Sequence, residues 1–170
     1  MSVEAPQNCQ WAGYVNIDTS KYDPACLYGK CWVQLGYLDG DIPEAPVYYM
    51  EKNDKNGYHI STSGHPSAWS WHNYMIVKVY PHYFCGYVDY GLFTCYSMTP
   101  DYSKEVSSYL ESKYCAPCAE GSHFKNLKYY KNSRWSYWTD SEPYVVSSKW
   151  TIEAINKHEF KVHGGDCRNG

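Results

Sequence analysis

Alternating apolar and polar positions dominate the chain, and most of them predict strands. Trp11 to Ile17 (WAGYVNI) alternates and predicts a first strand; Cys31 to Leu38 (CWVQLGYL) predicts a second. Asp39-Gly40-Asp41 signals a turn, and Pro43 and Pro46 hold the next segment at an edge or in a loop. Val47 to Glu51 and Tyr58 to Thr62 flank KNDKNG, whose Asn56-Gly57 pair is a strong hairpin signal. Ser63 to Ser70 reads as a loop. His72 to Tyr80 (HNYMIVKVY) is the most hydrophobic strand. Tyr83 to Val88 and Leu92 to Tyr96 join across DYG as another hairpin. Cys85 and Cys95 lie on its two arms, which suits a cross-strand bridge. Leu127 to Tyr130 and Arg134 to Trp138 form a short hairpin around Asn132-Ser133, and Phe160 to His163 precedes Gly164-Gly165.

Two stretches break the period. After Thr99-Pro100-Asp101, residues Tyr102, Val106, Tyr109, Leu110 and Tyr114 recur at helical spacing, with Thr99 as cap and Pro100 in the first turn. Ser147 to Lys157 (SSKWTIEAINK) reads as a helix with Trp150, Ala154 and Ile155 inward, or equally as a strand, since Trp150, Ile152 and Ala154 alternate. The expected fold class is therefore α+β: a small antiparallel sheet with helices packed on it, in one domain over 1–170.

Composition changes the picture through cysteine and tyrosine. Eight cysteines, Cys9, Cys26, Cys31, Cys85, Cys95, Cys115, Cys118 and Cys167, exceed what a 170-residue core requires. The even count reads as about four disulfides formed in an oxidising compartment. The polar start, Met1-Ser2-Val3-Glu4-Ala5-Pro6, reads as a methionine placed before a mature secreted chain. No stretch approaches the ~20 apolar residues of a membrane helix, so no membrane insertion is expected. No N-x-S/T sequon occurs, which weighs against a heavily glycosylated surface protein. The net charge is −3 and the lysines are spread along the chain, which argues against tight nucleic-acid binding. The chain holds 20 tyrosines and 7 tryptophans against 4 phenylalanines. Such residues serve strands, and they also serve recognition surfaces.

Candidate chemistry is sparse. Cys115-Ala-Pro-Cys118 has redox spacing, but it follows its predicted helix, where the negative end of the dipole opposes a reactive thiolate. A zinc site would need a second paired motif, and Cys26 with Cys31 is a poor one. The eight cysteines are thus disulfide candidates, with no metal and no cofactor expected. Seven histidines are scattered without a specific spacing; Glu51 and His72 are the groups a small secreted hydrolase such as a ribonuclease would use. His158-Glu159 is not H-E-x-x-H, and no G-x-S-x-G occurs. No catalytic residue is assigned. Two aromatic clusters are the candidate binding residues: Trp69 and Trp71 in SAWSWHNY, and Arg134, Trp135 and Trp138 in RWSYWTD. Arg134 beside Trp135 suggests a cation–π pair or a hot spot, and exposed tryptophans also suit stacking on sugar rings.

These features together resemble secreted effectors of plant-pathogenic fungi, in particular the Leptosphaeria avirulence-and-suppressing effectors and their tomato leaf-mould extracellular relatives. The resemblance implies an α+β fold crosslinked by disulfides, with one bridge tying the chain ends, a role for which Cys9 and Cys167 are placed. The short Trp-Arg motif of that family stands here in reversed order, as Arg134-Trp135. The resemblance further implies a virulence or avirulence protein acting as a monomer in the plant apoplast, or after uptake into host cells. It would bind a host plant protein without catalysis and be recognised by a plant resistance receptor. The rival readings are a glycan-binding protein and a small secreted hydrolase.

Overall fold

The computed structural model describes residues 10–18, 26, 29–40, 45–67, 70–99, 105–113, 122–140, 143–145 and 148–165. The chain divides into two compact units, one spanning Gln10–Glu111 and one containing Ser112–Gly170.

In the first unit, β1 (Gln10–Asp18), β2 (Trp32–Gly40), β3 (Val47–Asp54) and β4 (Gly57–Ser63) form an antiparallel meander. The β3–β4 hairpin closes where the Asn-Gly signal places it: Gly57 takes a φ of 107°, and Asn56 donates its N–H to Asp54 Oδ1 at 2.8 Å. A second antiparallel sheet contains β5 (Tyr74–Tyr80), β6 (Tyr83–Val88) and β7 (Gly91–Ser97). Asp89 and Tyr90 both have positive φ, as a tight hairpin turn requires. The two sheets pack face to face. Val33, Leu35 and Met50 from one meet Ile76 and Phe84 from the other, with Cys26, Cys31 and Met98 completing the core. Gly86 marks a close approach, since a Cβ there would lie 2.6 Å from Met50 Sδ. The Tyr96 hydroxyl spans the gap, 2.7 Å from Ser61 Oγ and 3.2 Å from the Met50 carbonyl. Cys85 and Cys95 are direct cross-strand partners and are disulfide-bonded, as are Cys26 and Cys31. Cys9, Cys115, Cys118 and Cys167 lie outside the described residues, and so does the expected link between the chain ends.

The helix expected after Thr99 is corrected by the structure. Glu105–Lys113 is a strand, β8, at the edge of the first sheet beside β1, giving the order β4-β3-β2-β1-β8. Thr99 donates its N–H and hydroxyl to the Asp54 carboxylate. The physical reason lies in what β1 offers. Ser107 Oγ accepts from Asn16 Nδ2 at 3.2 Å, Ser108 Oγ donates to the Tyr14 carbonyl at 3.1 Å, and the Tyr109 ring packs 5.4 Å from that of Tyr14. Serine, valine and tyrosine are indifferent helix formers, so an open sheet edge outweighs their spacing. No α-helix occurs among the described residues, so the α+β expectation gives way to an all-β architecture. None of its elements is an apolar helix long enough to cross a membrane.

The second unit contains β9 (Ser122–Phe124), β10 (Lys128–Lys131), β11 (Arg134–Tyr137), β12 (Trp150–Asn156) and β13 (Glu159–Gly164). β12, β13 and β9 form one sheet in that order; β10 and β11 form a separate hairpin. In β12 the alternation of Trp150, Ile152 and Ala154 prevails over the helical reading. One face of the sheet stacks Phe124 on Phe160 at 4.8 Å. The opposite face carries Glu153, Glu159, His123 and His163. His123 pairs with Glu159 and His163 with Glu153, each at 2.8 Å.

Candidate functional site

The β10–β11 hairpin carries an exposed aromatic surface that one of the sequence clusters leads to. Asn132 and Ser133 form its turn, with φ values of 53° and 61°. Both are positive, which sets a tight two-residue connection and fixes the register Lys128↔Tyr137, Tyr130↔Trp135, Lys131↔Arg134. Strand alternation then places Lys128, Tyr130, Trp135 and Tyr137 on one face, and Tyr129, Lys131, Arg134 and Ser136 on the other. Tyr130 is 62% exposed, and Trp135 and Tyr137 are each 44% exposed. Tyr130 and Trp135 meet edge to face with centroids 5.6 Å apart, and Lys128 Nζ sits 4.4 Å from the Tyr137 ring centre. The hairpin is anchored at its base. Leu127 donates its N–H to the His158 carbonyl, Trp138 donates its N–H to the Leu127 carbonyl, and the Tyr137 and His158 rings lie 4.4 Å apart.

The predicted binding residues fare differently. Trp135 is central to the exposed face. Arg134, its neighbour in sequence, points to the opposite face, so the cation–π pair that forms is Lys128–Tyr137. Trp138 is half-buried at the base, with its indole Nε1 enclosed and without a hydrogen-bond partner. Trp71 is 56% exposed but belongs to the first unit. Trp69 lies outside the described residues. Lys128 and Tyr130 were missed as site residues. Their signal was present in the two-residue spacing of Lys128 to Tyr130 and of Trp135 to Tyr137 about the Asn132-Ser133 turn.

A second constellation surrounds His72. Its Nδ1 lies 2.8 Å from Asp89 Oδ2 and 3.0 Å from the Tyr48 hydroxyl; its Nε2 lies 2.9 Å from Ser70 Oγ. Asp89 also accepts the Asn73 N–H at 2.7 Å. Although burial acts to raise it, the Asn73 N–H and His72 hold the Asp89 carboxyl below the ordinary carboxylate range. The order Ser–His–Asp is that of a nucleophile relay, but the serine proton has a closer acceptor. Ser70 Oγ donates to the Ser67 carbonyl at 2.7 Å, a local side-chain-to-backbone bond. Ser70 Oγ thus lies within hydrogen-bond reach of both that carbonyl and the imidazole. Its hydrogen bonds, with those of His72 and Asp89, tie the segment before β5 to the β6–β7 turn. Glu51, the other candidate hydrolytic group, is not part of it. Strand alternation puts Glu51 on the face of β3 opposite Tyr48, where its carboxylate accepts from Tyr58, Gln34 and Trp32. Burial holds the Glu51 carboxyl above the ordinary range, against the lowering effect of those donors. Among the described residues, no three His, Cys, Asp or Glu side chains are grouped to hold a metal ion.

No protein-family model matches the chain, and neither curated proteins nor solved structures give a significant match.

Proposed function

We propose that this protein is a secreted effector of a plant-pathogenic fungus that acts by binding a host component, without catalysis. The observation that carries the reading is the exposed row of Tyr130, Trp135 and Tyr137 on an anchored hairpin. Aromatic side chains of this kind supply large contact area at little entropic cost, and they dominate binding hot spots. The two disulfides are consistent with an extracellular location, which in this reading is the plant apoplast, with uptake into host cells as a later step. Recognition by a plant resistance receptor would act on the same exposed surface. A glycan as the bound component is the second reading, favoured by the exposure of Tyr130 and Trp135.

The test is infiltration of the purified protein into host leaves, with the defence response as readout. Wild type is expected to alter the response, and the exposed-site double variant Tyr130→Ala/Trp135→Ala to lose most of that effect while keeping its far-UV spectrum. An equal response to both proteins would sink the reading.

A further inference from the structure

From Ser122 to Thr139 the chain carries Lys125, Lys128, Lys131 and Arg134 and no Asp or Glu, although the protein as a whole has a net charge of −3. Folding concentrates this charge. Lys131 and Arg134 are direct cross-strand partners next to the hairpin turn, both exposed, with no carboxylate partner among the described residues. Like charges directly opposite each other destabilise a strand pair. The positions flanking this turn thus hold an unneutralised repulsion that an anion placed between the two side chains would relieve. Lys128 adds a third cation on the aromatic face, beside Tyr137.

We propose that the tip of the β10–β11 hairpin binds an anionic glycan of the uronic-acid type. This rests on the reading of the hairpin as the binding surface and names its ligand class. Both halves of the site fit such a chain. Arg134 offers a planar fork for a carboxylate, and Lys131 offers a second donor next to it. Tyr130 and Trp135, edge to face and open to solvent, offer ring faces to the C–H faces of successive sugars. A flexible sugar chain crossing the narrow two-stranded tip reaches the rings on one side and the charges on the other. An acidic protein segment would satisfy the cations and leave the rings without a matched partner. Single-stranded nucleic acid would use both, but disulfides mark a compartment where acidic glycans are the abundant polyanions.

The experiment measures binding of the full chain to polygalacturonate, with dextran as the neutral comparison and poly-glutamate and oligo-dT as competing polyanions. Wild type is expected to bind polygalacturonate, to prefer it over the other three, and to weaken as salt rises. Lys131→Gln/Arg134→Gln and Trp135→Ala are each expected to lose about tenfold or more in affinity, the scale of one charge-assisted contact or one aromatic anchor. All these positions are exposed, and far-UV spectra check that the variants stay folded. No binding, binding unchanged in the variants, or equal affinity for poly-glutamate or oligo-dT would overturn the proposal. If polygalacturonate binding fails while the leaf response still depends on Tyr130 and Trp135, the glycan assignment falls and the effector reading stands.

Discussion

Asp54 shows how a single residue organises the first unit. It is fully buried at the end of β3 and accepts from Lys52 Nζ at 3.1 Å, from the Asn56 N–H, and from the Thr99 N–H and hydroxyl. Lys52, itself buried, also donates to the Ser97 carbonyl at 2.8 Å, so the pair links β3 to the end of β7. Burial acts to raise the Asp54 carboxyl, but Lys52 and the backbone donors more than offset it and hold the group below its ordinary value. A carboxyl depressed in the folded state contributes stability that is complete above its unfolded value of about 3.9. That contribution is lost as pH falls through the lower folded value. Asp54→Asn leaves Lys52 buried without its counter-charge and is expected to cost about 3–5 kcal/mol at neutral pH. It should also flatten the acid limb of the stability curve. Urea melts from neutral pH into acid check both; an acid limb as steep as that of wild type would refute the role given to Asp54.

At the scale of the element, the hairpins were the most legible features and the edge strand the least. Asn56-Gly57, Asp89-Tyr90-Gly91 and Asn132-Ser133 each announced a tight turn between alternating arms, and each is one. Turn chemistry is local, so the sequence carries it. β8 was misread because its pairing partner, β1, is about ninety residues away in sequence, and no local spacing reports an open sheet edge. The turns also invite a direct test. Ser133 sits at a φ of 61°, a conformation that glycine adopts without the Cβ penalty. Ser133→Gly, which makes an Asn-Gly turn, is expected to add about 0.5–1 kcal/mol. The melting temperature should rise by about 1–4 °C. A fall in melting temperature would show that the serine side chain, not the backbone, sets this turn.

For the whole molecule, strand patterning built two β units where helices on a sheet were expected. The first unit is a sandwich whose sheets come close at Gly86 and are further tied by Tyr96. Its Cys85–Cys95 bridge closes a separation of ten residues across one hairpin. Loop-closure entropy assigns such a bridge about 2–3 kcal/mol. Cys85→Ala/Cys95→Ala should therefore lower the unfolding free energy, read from urea melts, by that amount without abolishing the fold. Complete unfolding of the double variant would mean that the sandwich core contributes less than its packing implies.

The amino-acid sequence by itself determined the strands with strong alternation, the three hairpin turns, the placing of Cys85 and Cys95 on facing arms and the aromatic character of the Arg134 to Trp138 segment. These follow from period-two patterning and from residues that tolerate positive φ, both local properties. Only the tertiary structure decided that Glu105–Lys113 joins a sheet edge and that Glu51 and His72 lie apart. Each of these depends on which distant strand supplies a partner, or on which side of a strand a side chain emerges. Packing settles both, because hydrogen bonds and buried surface are satisfied across the fold and not along the chain.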